Sequence, residues 1–134
     1  MAYLLDTNVI SELRKPKPHG AVVAWIQAIP EQALFVAAIT IGEIQAGIEI
    51  IRIRDSAKAA QIEGWSNELV RAQQIIPADA AVFRCWARLM HGRPDHHLED
   101  ALIAATALTH DLTVATRNTK DFAPFEVRLF NPFM

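Results

Sequence analysis

Four acidic residues stand where a carboxylate could do chemistry. Asp6 ends the apolar run of "YLLDTNVIS" (residues 3–11), Glu43 lies in "TIGE", Asp100 in "HLEDALIAATA" and Asp121 in "ATRNTKDF". Each has an ordinary structural reading. Asp6 can be a turn or cap residue beside a helix that Thr7 caps. Glu43 follows Thr40 by three residues, the spacing of a capping box, and could fold back onto the Thr40 backbone N–H. Acids in a first helical turn complement the dipole, which serves Glu99 well and Asp100 poorly. Asp121 has the turn residues Asn118 and Thr119 close by.

Taken together, the four acids imply more. Two sit at expected strand ends. Two are expected on inward helix faces: Glu43 heads a stripe of Ala46, Gly47 and Ile50, and Asp100 is in line with Ile103, Ala104 and Ala107. Glu99 faces Thr106 and His110 instead. A carboxylate on an inward face needs a partner. Several carboxylates gathered without arginines repel unless a cation joins them. All-oxygen ligation suits Mg²⁺ or Mn²⁺ rather than zinc. Such ions lower the pKa of a bound water and stabilise charge on a phosphoryl group. Zinc would need other donors. His96 and His97 are adjacent and so face different ways on a helix, and Cys85 is alone. Both histidines are expected at the surface or rim. The basic groups Arg14, Lys15 and Lys17, and Arg117 and Lys120, are either solvated surface or flanks of an acidic pocket that hold a phosphate backbone.

The elements that must position these residues alternate between strand and helix. Short continuous apolar runs predict strands at 3–5, 33–37, 74–77 and 112–116, and a last one at 127–130. Helices are expected from Thr7 to Lys15, from His19 to Ala28, and from Thr40 through "TIGEIQAGIEIIRIR". Three more follow: "SAKAAQIEGWSNELVRAQ", "AAVFRCWARLMHG" capped by Asp79, and residues 95–110, whose apolar second half predicts burial. Continuous apolar strands between helices mark a parallel sheet covered on both faces. Sites in such sheets lie at the carboxyl ends of the strands, which is where Asp6 and the segment after Thr116 fall.

The 134 residues suit one domain, 1–134. A chain of this size buries about 68% of its unfolded surface, so its core needs no staple. One cysteine excludes an internal disulfide. With no secretory segment and no apolar span of membrane length, a cytoplasmic protein is expected. A net charge of −2 neither advertises nucleic-acid binding nor excludes it. An apolar fraction of 51% is rich for a small monomer and hints at apolar surface reserved for a partner.

The blocks "LLDTNVISEL", "ITIGEIQAGIE", "EDALIAATAL" and "TVATRNTKDFAPF" resemble, in that order, the PIN-domain toxins of VapBC-type bacterial toxin–antitoxin systems. The similarity covers essentially the whole chain, and the four blocks together are specific where "DTN" alone is weak. The resemblance implies a three-layer α/β/α fold with a short parallel sheet and a Mg²⁺- or Mn²⁺-dependent endoribonuclease. It implies a homodimer or dimer of dimers, an antitoxin that blocks the site, and DNA contact only through that antitoxin. The family's acidic quartet maps onto Asp6, Glu43, Asp100 and Asp121 as catalytic metal ligands. Thr7, Asn8, Thr116 and Asn118 match polar positions beside the first and fourth acids and are expected to contact substrate. "HH" before "LED" departs from the usual filler.

Two other readings remain at this stage. A haloacid-dehalogenase-like phosphatase also begins with a strand and an Asp, but its second acid falls at Asn8. A silent binding module acting with a DNA-binding antitoxin has little use for clustered, repelling acids. Ile44, Ile48 and Ile51 share a helix face and are either core or a contact for the antitoxin.

Overall fold

The computed structural model describes residues 1–93 and 97–134. Five strands, β1 (Tyr3–Leu5), β2 (Leu34–Ala37), β3 (Gln74–Ile76), β4 (Thr113–Ala115) and β5 (Leu129–Phe130), pair in the order β3-β2-β1-β4-β5. Every pairing is parallel. Successive side chains on a strand point to opposite faces, and the core divides accordingly. Leu4 and Val114 join Ala101, Ile103, Ala104 and Ala107 on one face, while Leu5 and Ala115 join Val9, Ile10, Val22, Ile44 and Ile48 on the other.

Helices α1 (Thr7–Arg14), α2 (Gly20–Ala28), α3 (Ala38–Arg54) and α4 (Ser56–Ala72) supply the second of these faces. Helices α5 (Ala80–Met90), α6 (Leu98–Thr109) and the short α7 (Thr119–Phe122) supply the first. The result is the three-layer α/β/α architecture. Small residues let α6 lie tight on the sheet: Ala101, Ala104 and Ala107 have no exposed surface, and Ala105, equally buried, packs with Val82 of α5 instead. Among the described residues no helix is long and apolar enough to cross a membrane.

The strand order places the site. The chain lays β2 and β3 on one side of β1, then returns to lay β4 and β5 on the other. Between β1 and β4 the direction of winding reverses, and ligands in open α/β sheets bind beyond the carboxyl ends at such a point. The residues that follow these two strands are Asp6 and Thr116.

Several expectations are corrected. Asp6, not Thr7, caps α1, with Oδ1 accepting the Thr7 N–H at 2.8 Å. The capping box does not form. β2 runs directly into α3, whose cap residue is Ala37, so Thr40 lies inside the helix and Glu43 is free of that duty. The inward stripe of α3 is not Ala46, Gly47 and Ile50, since Ala46 is exposed and Ile50 keeps 62% of its surface. It is Thr40, Ile44 and Ile48. Ile44 and Ile48 are therefore core, with Ile51 packed against them, and the apolar side chains that α3 leaves outside are Ile50 and Ile53. A short helix, α7, carries Asp121 where a turn was expected.

Candidate active site

Asp6 is fixed by the sheet itself. Its backbone N–H donates to the Ala115 carbonyl at 2.9 Å, the rung that follows Leu5 paired with Ala115. Only 5% of the residue is exposed. The carboxylate accepts three hydrogen bonds: the Thr7 N–H on Oδ1, and on Oδ2 the Thr116 hydroxyl at 2.8 Å and the Asn8 amide at 3.1 Å. Asn8 and Thr116 are themselves linked at 3.3 Å, and the Asn8 carbonyl oxygen accepts the Arg117 N–H at 3.2 Å. The Asn118 N–H closes the array on Thr116 Oγ1 at 2.9 Å. A single polar lattice thus ties the ends of β1 and β4 together around one carboxylate.

Glu43 is half-buried on α3 and accepts the Thr7 hydroxyl at 3.2 Å. Asp100 is half-buried in the first turn of α6, 3.4 Å from His97 Nδ1, while its neighbour Glu99 is exposed as expected. Asp121 is exposed on α7, its N–H held by the Asn118 carbonyl at 3.1 Å.

These acids act on one another through space. Burial, above all, lifts the Asp6 carboxyl above the usual range; its hydrogen bonds from Thr116 and Thr7 oppose the rise and the charge of Asp121 adds to it. Glu43 is pushed up to about 7, first by burial, against the Thr7 hydrogen bond, with Asp6, Glu99 and Asp100 adding. Asp100 rises through burial and then through Asp6, with His97 opposing and Asp121 contributing. All four sequence-identified acids therefore belong to one electrostatic cluster. Glu99 joins it too. Facial arithmetic along α6 missed it, because its effect reaches across to α3 rather than along its own helix.

The cluster fits a hard divalent cation by its donor chemistry. It is all carboxylate and hydroxyl oxygen, drawn from β1, α3, α6 and α7. Among the described residues no Lys or Arg pairs with Asp6, Glu43 or Asp121. Among those residues no three His, Cys, Asp or Glu side chains are grouped closely enough to hold a metal ion as they stand; the acids are coupled through their charges, which repel one another.

The four polar residues expected to meet substrate divide into two pairs. Thr116 has no exposed surface, and its hydroxyl is committed to Asp6. Both ends of the Asn8 amide are committed to Asp6, Thr116 and Arg117. Thr7 is partly open and Asn118 exposed. Asn8 holds the position where a dehalogenase-like phosphatase needs an acid, and it is locked there by hydrogen bonds. Of the basic residues, Lys15 pairs with Glu12 at 3.0 Å, Arg14 lies 5.9 Å from the Trp65 ring and Arg117 lies 3.9 Å from the Phe133 ring. His96 lies outside the described residues; His97 is exposed at the rim.

Comparison with known proteins gives the family of this fold. The PIN domain family model matches residues 3–125. The chain is 36% identical to the toxin FitB of Neisseria gonorrhoeae over 97% of both chains. It is 35% identical to the VapC ribonuclease Y4jK of Sinorhizobium fredii, over 97% of this chain and 96% of that one. The solved structure of FitAB bound to an IR36 DNA fragment superposes with a TM-score of 0.84 at 33% identity, covering 98% of this chain and 96% of that one. With its sheet order, its buried strand-end aspartate and these matches along nearly its whole length, the chain belongs to the PIN-domain family, in the group that holds the FitB toxin and the VapC ribonucleases.

Proposed function

We propose that this protein is the toxin of a toxin–antitoxin pair and acts as a Mg²⁺- or Mn²⁺-dependent endoribonuclease. One observation carries the reading: four carboxylates from four elements are electrostatically coupled at the switch point of the sheet, three of them with no basic partner among the described residues. The names toxin and ribonuclease borne by its relatives support it.

Asp6, Glu43, Asp100 and Asp121 would hold the cation, which when bound supplies a water of lowered pKa and countercharge for the phosphoryl oxygens. The chain's own hydrogen bonds do the rest of the positioning. Thr116 and Asn8 aim Asp6, and Thr7 aims Glu43. The exposed edge of Thr7 and Asn118 faces the RNA. In-line attack of water on phosphorus breaks the P–O3′ bond and leaves a 5′-phosphate and a 3′-hydroxyl. Among the described residues no pair of histidines is placed to activate the 2′-hydroxyl instead.

A cognate antitoxin would silence the site, and DNA would be met only through it; the similar structure FitAB is solved bound to an IR36 DNA fragment. An apolar groove of about 370 Å³ between α1, α2 and α4 is lined by Leu13, Ile26, Trp65 and Leu69. Trp65 also borders a second cavity, of about 200 Å³, that reaches Thr7 and Glu43. A segment laid along both would end at the acids. Exposed Ile50, Ile53, Phe83 and Leu108 provide apolar surface for a homodimer; sedimentation of the free protein as a monomer at micromolar concentration would remove that part.

The deciding test is loss of RNA in the presence of the purified protein alone. Cleavage should require added Mg²⁺ or Mn²⁺ and stop on chelation. Undiminished cleavage in chelator, or none in either cation with folded protein, overturns the reading.

A further inference from the structure

Beside Asp121 a cavity of about 200 Å³ opens between the end of α5 and the turn after α7. Arg93, His97, Lys120 and Asp121 line it, with Met90 and Phe125 as apolar wall. Arg93 is oriented by three contacts. Its Nε donates to the Leu89 carbonyl at 2.6 Å, an Nη donates to the Pro124 carbonyl at 3.0 Å, and its guanidinium lies 5.2 Å from the Phe125 ring.

These partners are neutral, so they orient the guanidinium without cancelling its charge. A guanidinium has five N–H donors, and two are used here. Lys120 is exposed, and no carboxylate among the described residues pairs with it or with Arg93. His97, in the left-handed region at φ 70°, stands between this cavity and Asp100.

Two cations thus converge on a recess that shares Asp121 with the acid cluster. An anion held there lies next to the hydrolytic site. In a nucleic acid strand the anions come at regular spacing along the backbone, so a phosphate beside the one being cut is the group that meets this recess. We propose that the cavity is a phosphate subsite: Arg93 and Lys120 bind the backbone phosphate adjacent to the scissile one and fix the register of the strand over the acids. This rests on the ribonuclease reading. The fork of Arg93 suits two phosphate oxygens at once, and Lys120 supplies a point charge from the solvent side.

The test is binding rather than cleavage. A short labelled oligouridylate is titrated into the Asp6→Asn protein over a salt series. Adding Lys120→Ala should weaken binding about tenfold at low salt and reduce the slope of log K against log salt by about 0.7, as for one lost contact to a single strand. Lys120→Arg should restore both. Arg93→Gln should act in the same direction, with its melting temperature measured alongside because Arg93 also ties α5 to Pro124. If the parent binds RNA while Lys120→Ala and a folded Arg93→Gln bind with the same affinity and slope, the subsite is overturned and the ribonuclease reading stands. If the parent binds no RNA, both fall.

Discussion

Thr116 donates its hydroxyl to Asp6 Oδ2 at 2.8 Å across 110 residues of sequence, with no exposed surface of its own. A buried donor of this kind fixes the carboxylate's orientation and keeps its charge available. Thr116→Val keeps the shape and removes the hydroxyl. We expect cation affinity and cleavage to fall about 10- to 100-fold, with Thr116→Ser restoring most of the loss. Wild-type metal affinity in Thr116→Val, measured by calorimetry, would refute the positioning role.

Removing the acids separates chemistry from stability. Asp6→Asn and Asp100→Asn should each abolish cleavage while leaving the far-ultraviolet circular dichroism unchanged. Their stabilities should differ. Asp100 is repelled by Asp6 and Asp121, so its amide should be neutral or stabilising in metal-free protein. Asp6 accepts bonds on both oxygens, and an amide offers only one acceptor, so Asp6→Asn should cost about 1 kcal/mol. Cleavage at the wild-type rate by either folded variant would show that the acids are misassigned.

The raised Glu43 carboxyl makes the metal-free protein sensitive to pH. Folded, Glu43 titrates at about 7 rather than 4.5. The native state therefore binds the proton more tightly than the unfolded chain. Its stabilisation is complete below the lower value and is lost as pH rises through the upper one. Glu43→Gln cannot ionise. In chelator it should become more stable than wild type as pH rises from about 4.5 to about 8, by on the order of 1–2 kcal/mol once solvent screening is allowed for. Mg²⁺ should narrow the gap by stabilising wild type more than the variant, which lacks one of the four acids. Denaturant titrations showing a constant difference across that range would contradict the assignment.

Product ends test the nucleophile. RNA cut by this protein should carry a 5′-phosphate and a 3′-hydroxyl, and a substrate with 2′-deoxy at the cut position should still be cleaved if it binds. A 2′,3′-cyclic phosphate would exclude water as the attacking group.

The acids proposed to hold a cation would also suit a guanidinium. The antitoxin is expected to carry an arginine that pairs with Asp6, Glu43 or Asp100. Replacing it by Ala should cost about 2–5 kcal/mol at that contact and leave apolar docking intact, so the complex should form but cleave RNA. Full inhibition by the Ala variant at saturation would mean that cover alone silences the toxin.

The sheet and most helices were legible because their signals are local and repeated. "YLL", "ALFVA", "QIIP" and "LTVAT" are uninterrupted apolar runs, and the small residues of 101–107 announce a helix packed on all sides. The reading failed on α3, where isoleucines occur at 39, 41, 44, 48, 50, 51 and 53. With apolar residues on every face, periodicity cannot choose the buried one. It also failed where an element is defined by its neighbour. Thr40 and Glu43 have the spacing of a cap, but β2 feeds α3 without a loop and the helix has already begun. α7 is four residues long, too short to carry a period. Asp6, Asp100 and Asp121 could be singled out because each sits at or near a strand or helix end and Glu43 because of its cap-like spacing, whereas the part of Glu99 depends on a distance between helices that no linear spacing encodes.

The pairing of β1 with β4 also sets an order of events during synthesis. β1 emerges first and β2 can join it early, yet its other neighbour, β4, begins only at Thr113. Until then Asp6 has neither the Thr116 hydroxyl nor the Asp121 charge near it. A chain still on the ribosome, or one cut short before Thr113, carries Asp6, Glu43 and Asp100 but has no assembled site.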